Sequence, residues 1–388
     1  MELELSEDQE FFRETTAKFL TAECPLTTLR SLESNPDGFD REFWRRGAEL
    51  GWTSMLVPEA DGGGSLSEHG LLDLVLVAEE MGRLVAPGPL VPVNVVAAAL
   101  ARSGSAEQRA EVLPGLLSGE QVAAWAQPTN VSEAPRPLSG REPSKTLVGG
   151  VRATASGDGF VLSGVAAPVE AGAQAAHLLV SAEAAEGPTQ FLIRADTPGV
   201  TITPMGGLDL VRRFAEVRLD DVVVPGSAVV GNVGGAAGDI ERQLQIAVVL
   251  QCAETVGATT QMFEVTLEYM SDRYSFGRPI SSYQALKHRV ADDKVWLEAC
   301  HAIATAAAHT VASETADAAE VVSAAKAWIG PHATEIIQDC VQLHGGIGVT
   351  WEHDLHLYLR RTTVNRVTYG TPEEHAERVA TMLLEVAS

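Results

Sequence analysis

The feature that most limits the fold of this 388-residue chain is the order of its sequence patterns: helical, then β, then helical. Residues 1–120 carry apolar residues at helical spacing, and Ser6 followed by Gln9 is typical of a helix-capping box. Residues 121–231 contain short β-branched runs separated by Gly, Pro and Asp, which predict a small antiparallel sheet. Residues 232–388 return to long Ala-rich helical runs, which predict a bundle of antiparallel helices. The chain is too long for one ordinary core, so these stretches are expected to form separate domains.

The C-terminal stretch can be divided further by its helical periodicity. Its predicted helices are Asp239–Asp272, Tyr283–Ser313, Ala316–Leu343 and a final pair around "VNRVTYGTPEEH", Val364–His375. The final pair meets at Tyr369-Gly370-Thr371, which we call the C-terminal corner. Gly tolerates unusual backbone angles and Pro is favoured at a first helical position, so a tight turn before Pro372 is expected. The polar, Pro-rich stretch Ser132–Lys145 is instead predicted to be a surface loop.

Composition excludes several classes of function. The chain has 28 basic and 52 acidic residues, a formal charge of −24, so it would repel the phosphates of nucleic acid. No window approaches the ~18 uninterrupted apolar residues that a membrane helix requires. The four cysteines have no CxxC spacing, and the acidic N-terminus lacks the pattern of a secretory signal. A cytoplasmic protein without membrane insertion is therefore expected.

A first candidate site interrupts two bundle helices at "SDRYSFGRPISSYQALKHR", residues 271–289. Arg273 and Ser275 lie in the predicted turn, and Pro279 prevents the helix from continuing. An Arg and a hydroxyl beside a helix N-terminus are well suited to bind a phosphate group. A plain turn with a surface Arg accounts for the same residues, so both interpretations stand at this point.

A second candidate site is "DCVQLHGGIGVTWEHDLHLYLRR", residues 339–361. Gly345, Gly346 and Gly348 break the helical pattern and allow the backbone to approach a ligand closely. Gln342 can pair with a polar ligand edge. The three histidines of this stretch lack the spacing of a zinc-binding helix, so no metal site is predicted.

These two stretches, together with "AELGWTSMLVPEADGGG", "AEEMGR" and "LDDVVVPGSAVVG", resemble the acyl-CoA dehydrogenase family over essentially the whole chain. The resemblance implies an α+β, mainly α fold: an N-terminal helical domain, a central β-barrel or sandwich domain and a C-terminal helical bundle. It also implies FAD-dependent α,β-dehydrogenation of an acyl-CoA thioester, a tetramer, and an electron-transfer flavoprotein or another electron acceptor. In this family each flavin lies between two subunits, and one subunit holds the flavin ring and the catalytic base.

The neighbouring subunit reaches over the adenosine end of FAD with two loops, the Arg-containing loop and the Gln–Gly-Gly loop. By resemblance, Arg273 with Ser275 would contact the pyrophosphate and Phe276 would pack near the flavin. The remaining family-matched FAD contacts are Gln284, Gln342, Gly345, Gly346, and Thr371 with Glu373 after the corner.

The flavin-ring side departs from the family pattern. Ala126 and Gln127 stand where a Thr and a Glu are usual, and Pro168-Val169-Glu170 replaces the usual Trp-Ile-Thr. An aromatic residue and a hydroxyl that the family places near the flavin are therefore missing, and Trp125 is a partial substitute.

The catalytic carboxylate is also missing. Its usual position is Tyr369, and its alternative position on the first bundle helix is Ala247, followed by Val248 where a CoA-binding Arg often stands. Tyr has an ordinary pKa near ~10, which does not suit a neutral-pH base. Replacement bases to consider are Glu254, Glu241 and Glu170. Glu254 is singled out because it lies two helical turns after Ala247, on roughly the same face. It is a weak candidate, since a solvated surface role explains any single acidic residue here.

Three hypotheses follow from the sequence. The chain is a dehydrogenase with an unrecognised base; or it is the base-less accessory subunit of a heterotetrameric acyl-CoA dehydrogenase that completes the partner's FAD site; or it has a binding or scaffold role on the same fold. Such mixed assemblies are known in the family among bacterial enzymes that shorten steroid side chains, so lipid or steroid catabolism is expected. No short motif encodes the acyl group of the substrate.

Overall fold

The structure, a computed structural model, describes residues 5–127 and 150–387, and the predicted loop Ser132–Lys145 lies outside them. The described chain begins with helices, as predicted. They are α1 (Glu7–Glu23), α2 (Leu26–Leu32), α3 (Arg41–Glu49), α4 (Gly70–Arg83), α5 (Leu90–Ser103) and α6 (Ala106–Leu117). The Ser6 hydroxyl accepts from the Gln9 amide (3.2 Å) and the Gln9 side chain accepts from the Ser6 amide (3.1 Å). The predicted capping box is therefore confirmed.

The middle of the chain forms one mixed sheet. Its strands are β1 (Ala123–Ala126), β2 (Val151–Ser156), β3 (Gly159–Glu170), β4 (His177–Ala184), β5 (Gly187–Arg194), β6 (Val200–Met205), β7 (Phe214–Pro225) and β8 (Val229–Val230). The order is β6-β7-β3-β2-β4-β5-β8, with β1 beside β4. The prediction of an antiparallel sheet is wrong at two pairings, because β1 and β2 both run parallel to β4. Alternating apolar residues identify a strand, but they do not encode its direction.

The rest of the chain forms the predicted helical bundle. Its helices are α7 (Ala237–Asp272), α8 (Gln284–Ala312), α9 (Ala318–His344), α10 (Leu355–Val367) and α11 (Pro372–Ala387). Each overlaps the helix predicted for its stretch of sequence, and α10 and α11 meet at the C-terminal corner. No helix of the described residues is both long enough and apolar enough to cross a membrane.

Helices α4 and α7 touch backbone to backbone through a glycine on each side. A Cβ added to Gly82 of α4 would lie 2.0 Å from the carbonyl oxygen of Glu254, and one added to Gly257 of α7 would lie 2.0 Å from that of Glu79. No side chain fits at either glycine, so the helices approach more closely than ordinary helix packing allows. This contact sets the position of α7, and with it the position of the Glu254 side chain.

We expect Gly257→Ala to destabilise the protein by roughly 1–3 kcal/mol, because the new methyl group must push α4 and α7 apart. Gly238→Ala is the matched control, since an added Cβ at this exposed position of α7 meets nothing within 4 Å. The control should be neutral or slightly stabilising. The measurement is thermal unfolding followed by circular dichroism, and equal melting temperatures for the two variants would contradict the close helix contact.

Candidate functional site

The first candidate site is a short hairpin between α7 and α8, made of β9 (Tyr274–Ser275) and β10 (Arg278–Pro279). Its two turn residues, Phe276 and Gly277, have φ angles of 51° and 81°. Two positive φ angles are typical of a two-residue type I′ turn, in which Asn-Gly is preferred. A Phe in this conformation is strained by roughly 1–2 kcal/mol. Its side chain is 97% exposed, so no packing within the described chain offsets that strain.

The hairpin is held firmly although its tip is exposed. The Tyr283 hydroxyl donates to the Ser275 carbonyl (2.8 Å), and the Arg278 guanidinium lies 3.9 Å from the centre of the Tyr283 ring. The Ile280 amide donates to the Arg273 carbonyl (2.8 Å). The Arg273 side chain itself is exposed, and it forms no ion pair in the part of the chain that the structure describes. Its backbone is therefore fixed while its charge remains available to a ligand.

The second candidate site is a turn of 3₁₀ helix, Gly345–Val349, directly after α9. Gly345 has a φ of 64°, and a Cβ added to Gly345 or Gly346 would meet nothing within 4 Å. The loop is anchored by His344, whose ring stacks on Tyr269 of α7 at 4.2 Å between centroids. The Tyr269 hydroxyl also donates to the His344 carbonyl (3.2 Å). Tyr269 lies about one helical turn before Arg273, so both loops emerge at the same end of the bundle.

The segment that follows α7 is cationic in sequence, although Asp272 precedes it and its Arg289 pairs with Asp339. Residues 273–294 contain five Lys or Arg and two Asp, a net charge of +3 in a chain whose formal charge is −24. Gln284 and Gln342 are both exposed at this end of the bundle. The structure thus brings most of the sequence-predicted arm residues to one surface, which we call the cofactor arm: Arg273, Ser275, Phe276, Gln284, Gln342, Gly345 and Gly346. Cations, a hydroxyl and open backbone suit an anionic ligand such as a diphosphate.

Thr371 and Glu373 do not join the cofactor arm. They follow α10, whereas the glycine loop precedes it, and 13 residues of helix separate the two places by roughly 20 Å. Thr371 caps α11: its amide donates to Glu374 Oε2 (2.7 Å), and its hydroxyl accepts from the Glu374 amide (3.2 Å). Glu373 pairs with Arg366 at 3.1 Å. Both residues therefore have local structural partners.

At the C-terminal corner, Tyr369 points into the interior of the protein. Its hydroxyl donates to Glu170 Oε2 (3.0 Å), and its ring stacks on Trp125 with centroids 6.3 Å apart. The residue has a φ of 60°, and His375 Nε2 lies 2.9 Å from its carbonyl oxygen, to which it donates. Burial of the hydroxyl, and then the neighbouring Glu170 carboxylate, raise the Tyr369 pKa well above its ordinary value. Tyr369 is therefore protonated at neutral pH and cannot remove a proton from a substrate.

Glu254, the weak candidate base, is buried and fully engaged. Its carboxylate accepts from Arg212 Nη2 (2.8 Å), Arg361 Nη1 (2.6 Å) and Asn365 Nδ2 (2.9 Å). Burial opposes ionisation, but Arg212 and Arg361 outweigh it and lower the Glu254 pKa. A carboxylate that is stabilised in its charged form by three donors is a poor general base.

The other positions considered for a base are no better placed. Ala247 and Val248 are both completely buried. Glu241 pairs with Arg378 (2.9 Å) near the surface. Glu170 accepts from Tyr369 and lies 3.3 Å from Arg212 Nε; burial raises its pKa although Arg212 opposes the shift. Since the neighbouring Tyr369 and Arg212 occupy its oxygens, none of the carboxylates that the structure describes is free at the corner.

Sequence reasoning missed the basic half of this interior network. Arg212 bridges Glu170 and Glu254, Arg361 pairs with Asp209, and Lys326 donates to the carbonyl of Thr368 (2.9 Å) and to that of Asn365. We call the six charged residues of this network the ion lock: Glu170, Asp209, Glu254, Arg212, Arg361 and Lys326. A detectable signal was present, because a Lys inside the apolar run "VVSAAKAWIG" is expected to be buried and paired.

The ion lock joins all three parts of the chain. Glu170, Asp209 and Arg212 come from the sheet region, and Glu254, Arg361 and Lys326 come from the bundle. Arg361 also donates to the Ala86 carbonyl (3.1 Å), just after α4. Burial lowers the Lys326 pKa to about 8. Burial also acts to raise the Asp209 pKa, but the neighbouring Arg361 outweighs it and lowers that pKa to about 2.

The described residues contain no cluster of three or more His, Cys, Asp or Glu that could hold a metal ion.

Comparison with known proteins finds the same family throughout the chain. Residues 6–120 match the sequence profile of the acyl-CoA dehydrogenase N-terminal domain, and residues 238–384 match that of the C-terminal domain. The acyl-CoA dehydrogenase IpdE2 of Mycolicibacterium smegmatis is 28% identical over 376 residues, which cover 97% of this chain and 98% of that protein.

Two solved structures share the whole fold. A chain of the ChsE4-ChsE5 complex from Mycobacterium tuberculosis has a TM-score of 0.85 and 26% identity, and covers 99% of each chain. A chain of the steroid ACAD variant Tcur3481-Tcur3483 has a TM-score of 0.84 and 29% identity, and covers 98% of this chain and 99% of that one. The fold and both terminal domains agree, and the family is FAD-dependent. This chain therefore belongs to the acyl-CoA dehydrogenase family.

Proposed function

We propose that this chain is the accessory subunit of a heterotetrameric acyl-CoA dehydrogenase. It completes the FAD site of a partner subunit, which supplies the flavin-ring pocket and the catalytic carboxylate. The assembly carries out α,β-dehydrogenation of an acyl-CoA from lipid or steroid catabolism, in the cytoplasm, with an electron-transfer flavoprotein or another acceptor. The predicted domain division, 1–120, 121–231 and 232–388, is part of this proposal.

One observation carries the proposal: the same chain presents exposed residues that match the family's FAD-binding arm, and a corner at which the described residues provide no usable base. The Arg273 charge and the Phe276 ring are both exposed at the arm. At the corner, by contrast, Tyr369 remains protonated and its hydroxyl donates a hydrogen bond to Glu170. The backbone of the arm is already ordered and its side chains are exposed, so the arm loses little conformational entropy when it contacts a ligand that another subunit holds.

The arm fits one end of FAD, and the corner does not fit the other. Arg273, the Ser275 hydroxyl and the open backbone of Gly345 and Gly346 would hold the diphosphate and its adenosine side. When bound, FAD supplies the acceptor for the β-hydride of the acyl chain. Among the described residues the corner offers no free carboxylate, so no catalytic step is assigned to this chain's own residues.

The relatives support the mixed assembly. The ChsE4-ChsE5 structure is described as a complex of two named proteins, and the Tcur3481-Tcur3483 structure as a steroid ACAD. A chain that resembles members of such pairs, and that lacks the corner carboxylate, is suited to the accessory position.

We expect the chain purified alone to contain little FAD and to show no flavin bleaching on addition of an acyl-CoA. Co-expression with the partner dehydrogenase should yield a complex that contains FAD and bleaches with substrate. Absorbance at the flavin maximum and single-turnover bleaching measure both properties. Stoichiometric flavin that an acyl-CoA bleaches in the isolated chain would show that the chain works alone.

We expect Arg273→Ala to weaken FAD retention by the complex roughly 10- to 100-fold, because a charge-assisted contact contributes about 1.5–3 kcal/mol. Arg13→Ala is the matched control: Arg13 is also exposed, and it lies on α1, far along the chain from the arm. The measurement is the FAD dissociation constant by fluorescence, with the melting temperature as a check on folding. Equal FAD affinity in both variants would favour a scaffold role over the proposed one.

A further inference from the structure

We infer that the ion lock fills the space beside the corner in which a flavin ring would otherwise bind. In this chain the same space holds paired charges that join the three parts of the chain. This inference builds on the proposed function, in which the partner subunit holds the flavin ring. It goes further because it assigns a role to six buried charges that no dehydrogenase chemistry of this chain uses.

The three segments that would surround a flavin ring are in direct contact with one another. Trp125 of β1 stacks on Tyr369 of the corner, and Tyr369 is hydrogen-bonded to Glu170 at the end of β3. Cavities of about 20 Å³ beside Glu170 and about 10 Å³ beside Lys326 border the network. Each holds no more than a water molecule or two, far less than an aromatic tricycle requires.

The charged side chains at this junction pair with one another, whereas three neighbouring side chains each keep one unpaired buried atom: His375 Nδ1, Gln251 Nε2 and Gln174 Oε1. Arg212 donates to Glu254 Oε2 (2.8 Å) and, through Nη1, to Asn365 Oδ1 (2.6 Å). Among the described residues, no buried side-chain atom of the ion lock, Asn365 or Tyr369 is without a partner. The ion lock and Tyr369 therefore offer no unpaired donor to a cofactor, and buried polar groups that must bind a ligand would need such free positions.

A second closure lies between the sheet and α7. Gln190 and Gln243 donate to each other's side-chain oxygens, at 2.6 and 2.8 Å. Gln190 also donates to Ser181, which in turn accepts from Trp125 Nε1 (3.2 Å). Gln243 lines an outer cavity of about 200 Å³ between α5 and α7, so this amide pair forms part of the inner wall of that cavity. A continuous series of paired side chains therefore leads from the cavity to the stacked rings at the corner.

The charges of the ion lock are balanced, with three carboxylates and three cations. Inserting a ring between Trp125 and Tyr369 would break the bond to Glu170 and leave a buried carboxylate with one partner fewer. Adding a carboxylate at residue 369 would place a fourth acid beside Glu170 and Glu254, where like charges repel. Restoring the usual residue type at the corner is therefore not sufficient to restore a working site.

The first test counts flavin in the complex with its partner. We expect one FAD per pair of unlike chains, and the same count and turnover per flavin for Tyr369→Glu and for Tyr369→Phe. Tyr369→Glu should lower the melting temperature by several degrees more than Tyr369→Phe. Two FAD per pair, or an added flavin in Tyr369→Glu, would overturn the inference. Arg273→Ala tests the arm and the flavin count tests the lock, so the two proposals can fail separately.

The second test separates a structural from a catalytic Glu254. We expect Glu254→Gln to lower the melting temperature of the complex by several degrees, with turnover per bound flavin unchanged. Glu241→Gln is the matched control, because Glu241 lies on the same helix and pairs with Arg378 near the surface. The control should change the melting temperature little. Loss of turnover at an unchanged melting temperature in Glu254→Gln would show that Glu254 acts in the reaction and would overturn the lock.

Discussion

The rest of the structure depends on Arg212, which lies between the Glu170 and Glu254 carboxylates in the interior. A buried charge is very unfavourable unless it is paired, so each member of this group requires the others to be in place. The requirement fixes the sheet against α7, and through Arg361 it reaches the N-terminal helices. The glycine contact between α4 and α7 is the steric counterpart, because it brings the Glu254 backbone to the depth at which its side chain meets both arginines.

The same chain treats its two strained residues in opposite ways. Phe276 and Tyr369 both have positive φ angles, which are costly for aromatic residues. Tyr369 is held in this conformation by Glu170, Trp125 and His375. Phe276 has no such contacts in the described chain, and its ring faces outward. Strain that is satisfied internally indicates a structural element, whereas strain left at an exposed tip indicates contact with another molecule. This difference supports the roles proposed for the corner and the arm.

Much of the fold was predictable because its determinants are local. Helical periodicity located the bundle helices, and the Ser6–Gln9 pair identified the start of α1. Sheet direction was not predictable, because the register of β1 and β2 against β4 depends on where the chain enters the sheet. Motif resemblance predicted the arm residues and showed that Tyr369 stands where a carboxylate is usual. It also predicted Thr371 and Glu373 as cofactor contacts, and the structure places both, with local partners, at the other end of α10 from the glycine loop.

The sequence by itself determined the family and the helical, β, helical order of the fold, and it predicted the residues of the arm and the loss of the usual base. Each of these features depends on residue types that lie close together in the sequence, so a short stretch of sequence is enough to identify it. Only the tertiary structure decided that Glu170 and Glu254 are unavailable as replacement bases. Their partners lie far away in the chain: 42 residues separate Arg212 from Glu254, 107 separate Glu254 from Arg361, and 199 separate Glu170 from Tyr369. A carboxylate's ability to accept a proton depends on burial and on such partners, and folding alone brings them together.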